Sequence, residues 1–187
     1  MKKQSTIILG TLGPEKSSSE AAAYHYYSKF ITRKMRVDIH LYATFDSVLD
    51  NLIAGNIDLA IIPHAYEKIN HFYINPALKL KKIFAYSTPP YGLYKKIGTD
   101  FLNKVCQVVS HPAPVLLVDY LLKQKSWRNK YKLEFVNSTS IAAQLVYNEL
   151  ADLALTNERA AKKYMLEPFS VYGEIEMGWS AFSNREV

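Results

Sequence analysis

The sequence predicts an α/β fold built as two lobes. Short runs of β-branched and apolar residues alternate with helical segments, which is the order of strands and helices in an α/β protein. The alternation breaks at an aromatic, irregular segment, Ala65–Lys82, and starts again at Gln107. Two α/β units joined in this way favour two lobes with a cleft between them. We place lobe one at about 1–82 plus 166–187 and lobe two at about 83–165.

In lobe one, apolar runs and their polar flanks predict three strands and two helices. The strands are Thr6–Gly10, Val37–Tyr42 and Ile57–Pro63, and the helices are Ser18–Arg33 and Phe45–Ala54. The third strand is continuously apolar, as in a sheet covered on both faces. The strand-like runs after Met165 are expected to return to this lobe.

In lobe two, the same reasoning predicts five strands and three helices. The strands are Lys82–Ser87, Tyr91–Lys95, Gln107–Ser110, Leu133–Asn137 and Leu153–Thr156. The helices are Pro112–Lys123, Ser138–Glu149 and Asn157–Tyr164, and a polar loop, Gln124–Lys130, follows the first of them.

The composition is that of a soluble globular protein. Of 187 residues, 49% are apolar and 21% are charged, and the net charge is +6. The positive charge is spread thinly, with no long basic run, so the sequence does not support nucleic-acid binding. A cleft for a small anionic substrate would use the same positive field.

Several chemistries and locations are excluded by what the chain lacks. A single cysteine, Cys106, in an apolar run predicts a buried thiol and rules out an internal disulfide. Histidines and carboxylates do not recur at metal-ligand spacing, and the phosphate-binding and dinucleotide-binding glycine motifs are absent. No signal-peptide core and no apolar run of about 18 residues occur, so we expect a cytoplasmic protein without a membrane partner.

Strands that end in a Ser/Thr-rich turn and open a helix recur along the chain. They are Gly13–Ser19, Ser110-His111-Pro112, Asn137-Ser138-Thr139-Ser140 and Thr156-Asn157. Each turn exposes backbone N–H groups, hydroxyl donors and the positive end of a helix dipole, which together can hold a carboxylate or phosphate. For any one turn, helix capping is the better explanation. The four together favour an anion-binding cleft, because such ends gather on one side of an open α/β sheet.

Histidine supplies the candidate acid–base group. His64 ends the third predicted strand, where a side chain that titrates near neutrality can act as an acid, a base or a carboxylate donor. A structural histidine is an equally good interpretation. His111 is as well explained by helix opening as by catalysis, and we assign His25, His40 and His71 to structure.

Taken in order, these motifs resemble those of prephenate dehydratases. Thr11–Ala22 resembles that family's opening Gly-Pro-x-Gly-Thr-x-Ser-x-x-Ala motif. Ser110-His111-Pro112, Asn137–Ser140 with Ala142-Ala143, and Asn157–Ala161 with Tyr164 follow in the family's order. The resemblance covers nearly the whole chain and implies a two-lobed fold like that of type II periplasmic binding proteins, with substrate between the lobes. Because the chain ends at Val187, we expect no regulatory ACT domain after the catalytic domain.

The chain departs from the dehydratase pattern at the residues that carry the chemistry. His64-Ala65-Tyr66 stands where dehydratases have Glu-Asn-Ser, and Ser180-Ala181 replaces the Thr-Arg of their catalytic Thr-Arg-Phe. These replacements resemble another branch of the family, the non-aromatising prephenate decarboxylases of bacilysin-type antibiotic pathways. Further motifs resemble that branch: His71-Phe72-Tyr73 with Pro76, Thr88-Pro89 with Tyr91-Gly92-Leu93, Val136–Ser140, Ala154–Glu158, and Trp179-Ser180 with Phe182. The opening motif differs at one position, where Lys16 replaces a glycine.

The resemblance implies a decarboxylase that releases carbon dioxide from prephenate and keeps the ring hydroxyl, giving dihydro-4-hydroxyphenylpyruvate for an antibiotic or dihydrotyrosine pathway. It implies no cofactor, because the conjugated ring accepts the electron pair. Prephenate dehydratase activity, giving phenylpyruvate, is the alternative, and a non-catalytic solute-binding module is a third reading. Whether the chain forms a homodimer is left open.

The same resemblance implies roles for individual residues. Ser110, His111 and the Asn137-Ser138-Thr139-Ser140 turn are expected to hold the pyruvyl carboxylate, with Ser17 and Ser18 on that group or on the ring hydroxyl. An apolar wall of Tyr66, Trp179 and Phe182 would favour loss of the ring carboxylate, since a carboxylate is destabilised where water is excluded. His64 would deliver or relay the ring proton, with Tyr66 as the alternative. Ser180 stands in for the dehydratase threonine, and the fourth turn adds Thr156 and Asn157 as binding residues.

Overall fold

The structure, a computed structural model, describes residues 6–32, 35–101, 105–127 and 130–184. These residues form two compact units. Unit 1 takes the described residues within 1–14, 18–87 and 176–187, and unit 2 those within 15–17 and 88–175. Each unit contains one five-stranded sheet with helices, so the predicted α/β class is confirmed.

The secondary structure follows the predicted order closely. The strands are β1 (Thr6–Leu12), β2 (Arg36–Tyr42), β3 (Leu59–Pro63), β4 (Leu78–Ala85), β5 (Tyr91–Lys96), β6 (Cys106–Ser110), β7 (Tyr131–Phe135), β8 (Leu153–Asn157), β9 (Leu166–Gly173) and β10 (Gly178–Asn184). The helices are α1 (Ser18–Phe30), α2 (Phe45–Ile53), α3 (Asn70–Tyr73), α4 (Leu116–Gln124), α5 (Thr139–Tyr147) and α6 (Glu158–Lys163). In the part of the chain that the structure describes, no helix has both the length and the apolar character needed to cross a membrane.

The two sheets share one arrangement of strands. In unit 1 the order is β2-β1-β3-β10-β4, with β1 parallel to β2 and β3, and β10 antiparallel to β3 and β4. In unit 2 the order is β7-β6-β8-β5-β9, with β6 parallel to β7 and β8, and β5 antiparallel to β8 and β9. In each unit, one antiparallel strand therefore inserts between a parallel strand and an edge strand.

Unit 1 buries apolar side chains on both faces of its sheet. Successive residues of β3 alternate between two clusters: Ala60 and Ile62 pack with α2, and Ile61 packs with α1. This matches the expectation of a strand covered on both faces. Unit 2 has one cluster with α4, which includes the buried side chain of Cys106, and one with α5 and α6.

Two predicted strands lie in the other unit. The strand expected in lobe two at Lys82–Ser87 is part of β4 in the sheet of unit 1. Of the runs after Met165 that were expected in lobe one, β10 lies in that sheet, whereas β9 pairs with β5 in unit 2.

The bounds or character of three further segments also differ from the prediction. Strand β4 begins at Leu78 and not at Lys82, because an edge strand with exposed lysines has no apolar alternation to reveal it. The segment expected to be irregular contains the short helix α3. Helix α4 begins at Leu116 and not at Pro112, since residues 112–115 form turns. The predicted helix end at Arg33 and part of the polar loop, 128–129, lie outside the described residues.

Candidate active site

Three polar side chains of unit 1 form one hydrogen-bonded cluster. His64 Nε2 lies 2.8 Å from Ser180 Oγ, and Tyr73 Oη lies 2.6 Å from the same oxygen. The direct separation between Tyr73 Oη and His64 Nε2 is longer, at 3.3 Å. Ser180 is therefore the hydroxyl that joins the imidazole to the phenol. We call these three side chains the His64–Ser180–Tyr73 cluster.

The sheet and the short helix α3 hold this cluster in place. His64 directly follows β3, and its backbone N–H donates to the carbonyl of Gly178 at the start of β10 (2.9 Å). Ser180 on β10 lies opposite Ile62 on β3, in the antiparallel pair that these two strands form. Tyr73 ends α3, and its ring meets Phe182 edge-to-face with the ring centres 5.0 Å apart.

Gly178 leaves room for the imidazole. A Cβ atom at this position would lie 2.5 Å from His64 Nδ1, a distance that such atoms do not tolerate. The ring of His64 therefore packs against glycine backbone on its Nδ1 side, while Nε2 faces Ser180. A glycine at 178 allows this ring position, and any larger residue there requires the ring to move.

The three members of the cluster differ in exposure. Ser180 is 0% exposed, whereas Tyr73 is 40% exposed and His64 is also exposed. A hydroxyl both donates and accepts, so a buried serine between two exposed titratable groups can pass a proton from one to the other. The arrangement is that of a short proton relay whose two ends reach the surface of unit 1.

Tyr66 stands outside this cluster. Its hydroxyl donates to Asp46 Oδ1 (3.2 Å), and its ring lies 4.6 Å from that of Phe45. Burial, the negative charge of Asp46 and this hydrogen bond raise the pKa of Tyr66 to about 12. The structure thus gives the Tyr66 hydroxyl a partner in the first turn of α2, and does not bring it to His64.

Contrary to the prediction from the sequence, Tyr66, Trp179 and Phe182 do not form one surface. Side chains alternate along a strand, so two residues three positions apart face opposite sides. Trp179 is buried on the α1 side of the sheet and donates its indole N–H to the carbonyl of Tyr86 (3.0 Å). Phe182 is buried on the other side with Phe72, where Tyr66 also packs.

In unit 2, the turn before α5 combines a helix cap with an unpaired hydroxyl. Ser138 Oγ accepts from the backbone N–H groups of Ser140 (3.1 Å) and Ile141 (3.4 Å), so Ser138 is the N-cap. Thr139 is hydrogen-bonded to Tyr91 Oη (3.2 Å), and Asn137 is exposed. Ser140 Oγ is buried and has no hydrogen-bond partner among the described residues.

The other serine and threonine turns are more fully occupied. Ser110 donates to the carbonyl of His111 (2.8 Å), and His111 Nδ1 accepts the N–H of Ala113 (3.1 Å), a helix-opening role. Asn157 caps α6 through Ala160 N–H (3.0 Å). Its amide also donates to the carbonyl of Lys16 (3.1 Å). The remaining members of these turns, Ser17, Ser18 and Thr156, are buried, and Thr156 Oγ1 has no partner within the described part of the chain.

The helix N-termini also differ in charge. An acidic side chain occupies the first turn of four helices: Glu20 in α1, Asp46 in α2, Asp119 in α4 and Glu158 in α6. Each of these carboxylates interacts with the positive end of its own helix dipole, and its negative charge would repel a bound anion. The first turn of α5 has no acidic residue. Of the turns predicted to bind an anion, the one before α5 is therefore the best suited.

Tyr73 is a functional candidate that the sequence does not single out. Its motif, His71-Phe72-Tyr73, contributes only to the family resemblance. The partners of Tyr73 lie at Ser180, 107 residues away, and at His64. A tyrosine in a segment with no clear periodicity carries no signal that would predict these contacts.

Solved structures with the same fold define the class of this protein. It is similar to a prephenate dehydratase from Arthrobacter aurescens, with a TM-score of 0.73 and 13% identity; the match covers 95% of this chain and 60% of that one. For a prephenate dehydratase from Staphylococcus aureus, the TM-score is 0.66 and the identity 15%, and the match covers 96% of this chain and 67% of that one. For a lipoprotein from Enterococcus faecalis, the TM-score is 0.61 and the identity 14%, and the match covers 97% of this chain and 86% of that one. The fold is therefore the one shared by prephenate dehydratases and periplasmic-binding-protein-like proteins, as predicted.

Sequence relatives identify the family more narrowly. The chain is 44% identical to a prephenate decarboxylase from Planktothrix agardhii, over 96% of this chain and 89% of the relative. It is 38% identical to prephenate decarboxylases from Bacillus subtilis strain 168 and Bacillus amyloliquefaciens, each over 97% of this chain and 88% of the relative. No family model matches the chain. The chain therefore belongs to the prephenate decarboxylase family, whose members are carboxy-lyases. The resemblance that its motifs indicate is confirmed.

Proposed function

We propose that this protein decarboxylates prephenate without aromatising its ring. The observation that carries the proposal is the 44% identity, over nearly the whole chain, with a curated prephenate decarboxylase. The alternative, a dehydratase that forms phenylpyruvate, is not favoured: the solved dehydratases are only 13% and 15% identical. The position of the dehydratase arginine is taken by Ala181, a buried residue of the sheet core.

The reaction places specific demands on the enzyme. Breaking the bond between the ring and its carboxylate releases carbon dioxide and leaves an electron pair on the ring. That pair moves into the adjoining ring bond, and the neighbouring double bond takes up a proton at its far carbon. The product keeps the ring hydroxyl and gains one hydrogen, so one proton is consumed per turnover. The enzyme must supply this proton to carbon and withhold it from the hydroxyl, whose loss would aromatise the ring.

The His64–Ser180–Tyr73 cluster supports the proton supply. It contains groups that can donate and accept in turn, and two of its three members are exposed. We assign His64 to delivering or relaying the ring proton. Ser180 stands where dehydratases have threonine, and its hydroxyl is the link between the other two side chains.

The N-terminus of α5 supports binding of the pyruvyl carboxylate. Its first turn carries no competing acid, and the buried hydroxyl of Ser140 has no hydrogen-bond partner among the described residues. Backbone N–H groups at a helix N-terminus and a hydroxyl donor suit a carboxylate. The roles of Ser110, His111 and Ser17 in the same task, and a site between the lobes, stay predictions.

The wider context also stays at the level of prediction. An antibiotic pathway of the bacilysin or anticapsin type, or another dihydrotyrosine pathway, would use the dihydro product. The cytoplasmic location inferred from the sequence and the question of a homodimer are likewise open to experiment.

Proton NMR of the purified protein with prephenate tests the proposal. The pH should be mildly alkaline, where spontaneous aromatisation is slow. We expect the vinyl signals to fall from four protons to three, the carbinol proton to be retained, and a new ring methylene signal to appear where the ring has been protonated after loss of carbon dioxide. The five aromatic protons of phenylpyruvate would instead support the dehydratase. Unchanged prephenate that nevertheless binds would support a binding module.

A further inference from the structure

We propose that Tyr73 is the group that hands the proton to the ring carbon, and that His64 recharges it through Ser180. This inference rests on the proposed decarboxylation and deepens it by assigning the last step of proton delivery. It follows from two features of the cluster, which atoms are hydrogen-bonded and which side chains are exposed, and from the general difference in acid strength between an imidazolium and a phenol.

The distances set the order of the relay. Ser180 Oγ is within 2.6 Å of Tyr73 Oη and 2.8 Å of His64 Nε2, both well inside hydrogen-bond range. The direct distance from Tyr73 to His64 is 3.3 Å. The two shorter contacts make the serine hydroxyl the better route for a proton between the imidazole and the phenol, although the direct contact is also within hydrogen-bond range. When His64 Nε2 donates to Ser180 and Ser180 donates to Tyr73, the Tyr73 proton is left to point at substrate.

Exposure decides which members can touch the substrate. Ser180 is buried between the other two side chains and hydrogen-bonded to both, so its hydroxyl is already engaged and serves to pass a proton. Tyr73 and His64 are both exposed and stand at the two ends of the relay. One end can face substrate while the other exchanges with water.

Acid strength assigns the two ends. The carbon that takes the proton is bonded to the carbinol carbon, so the donor lies close to the very hydroxyl that must not be protonated. An imidazolium is a strong enough acid to assist departure of that hydroxyl, whereas a neutral phenol is a much weaker acid. The ring carbon becomes strongly basic only as carbon dioxide leaves. A phenol then protonates this carbon and leaves the alcohol oxygen untouched.

The step balances as written. The bond from the ring to the carboxylate breaks, its electron pair forms a ring double bond, and the former double bond takes the Tyr73 proton as a new C–H bond. The resulting phenolate takes the proton of Ser180, and Ser180 takes the Nε2 proton of His64. The imidazole takes up a proton from solvent as it gives that one up, so no imidazolate forms. No oxidant or reductant enters.

The Tyr73→Phe variant tests the assignment, with Tyr24→Phe as the control. Phenylalanine keeps the ring that packs on Phe182 and removes only the hydroxyl, so the fold should be retained. Tyr24 lies on α1 and is 52% exposed, which makes it a tyrosine outside the cluster. Both variants and the wild type are assayed for kcat and KM. Each is also run in D₂O, with NMR locating deuterium on the new ring methylene carbon.

We expect the wild type and Tyr24→Phe to place deuterium on one face only. Tyr73→Phe should lower kcat by about 100-fold or more, the scale of a lost general acid, with KM changed less than about threefold. Its residual product should carry deuterium on both faces, because water then supplies the proton. A wild-type kcat in Tyr73→Phe overturns the assignment. So does a slow variant that still labels one face, since Tyr73 would then only position other groups. A wild type that makes no dihydro product overturns the proposed function itself, and the assignment with it.

Discussion

At the scale of single residues, the position of one imidazole ring depends on a glycine. His64 Nε2 is hydrogen-bonded to Ser180, and its Nδ1 side packs against Gly178 so closely that a Cβ atom would come within 2.5 Å. Ser180 and Gly178 both lie on β10. This strand pairs with β3, which ends directly before His64. The backbone of one strand thus fixes the ring on two sides.

We predict that Gly178→Ala lowers kcat by about 10- to 100-fold, because displacing a reacting group by a fraction of an ångström has effects of this size. The added methyl group would push the imidazole away from Ser180 and break the relay. Steady-state kinetics measure kcat, and His64→Gln, which cannot carry the proton, provides the lower bound. Thermal melting should stay within a few degrees of the wild type. An alanine variant with unchanged kcat would contradict the positioning role of Gly178.

The residue scale is also where sequence reasoning was weakest. His64 and Ser180 were identified because they replace residues of a known motif. Tyr73 was not, because its contacts join positions 107 residues apart and depend on the register of β10. Trp179 and Phe182 were grouped as one wall, although strand geometry places them on opposite faces. Roles that depend on side-chain direction require the strand register, which a single sequence does not supply.

At the scale of elements, the N-terminus of α5 is the helix end best prepared for an anion. Ser138 caps it, no acidic residue opposes a ligand there, and Ser140 Oγ is unpaired among the described residues. We predict that Ser140→Ala raises the KM for prephenate about tenfold, the effect of losing one hydrogen bond to a charged group. It should leave the melting temperature unchanged or slightly higher, because an unpaired buried hydroxyl is removed.

Ser183→Ala provides the matched control for Ser140→Ala. Ser183 is a buried residue of β10, and its hydroxyl likewise has no partner within the described residues. Its removal should alter neither KM nor kcat. Steady-state kinetics and thermal melting of the two variants separate a ligand contact from a general effect of deleting buried hydroxyls. Equal KM values for both variants would argue against carboxylate binding at α5.

The contact from Tyr66 to α2 makes stability depend on alkaline pH. Burial and Asp46 raise the pKa of Tyr66 from 10.0 to about 12 in the folded protein. A group whose pKa is raised by folding stabilises the fold fully below its unfolded pKa, and this contribution is lost as the pH rises through the folded value. We therefore predict that Tyr66→Phe is less stable than the wild type below pH 10, and that the difference shrinks between pH 10 and 12.

Urea unfolding at pH 9 and near pH 11.5 measures that difference. The wild type and the variant are compared at the same pH, so the other groups that titrate in this range cancel. Tyr24→Phe, at an exposed position of α1, serves as the control and should show no such convergence. A gap between wild type and Tyr66→Phe that is equal at both pH values would contradict the contact with Asp46.

Most elements were predictable from the sequence, and the exceptions have physical reasons. Buried strands such as β3 and β8 can be recognised in the sequence because they are continuous apolar runs. The edge strand β4 presents lysines to solvent, and α3 has only four residues, so neither shows a clear period. Helix α4 begins four residues after Pro112 because the chain first makes turns at two prolines.

At the scale of the whole molecule, the α/β class and the family follow from the sequence, whereas the pairing of strands does not. Strand β10 lies near the end of the chain yet pairs between β3 and β4. Only this long-range pairing brings Ser180 to His64 and Tyr73. The relay therefore depends on a non-local contact that propensity and periodicity leave open.

The net charge of the whole chain predicts how the reaction responds to salt. Prephenate carries two carboxylates, and the protein carries a formal charge of +6 at pH 7. Exposed charges attract a dianion over distances that salt screens, with a Debye length of about 8 Å at physiological ionic strength. We predict that kcat/KM falls severalfold between about 20 mM and about 500 mM KCl, while kcat changes little, because bound substrate is desolvated and less screened. Initial rates across this series test the prediction, and sucrose at matched osmolality controls for effects of water activity. A kcat/KM that does not vary with salt would mean that local hydrogen bonds, and not the overall field, capture the substrate. In that case Ser140→Ala should lower the affinity for prephenate more than the substitution of any exposed charge does.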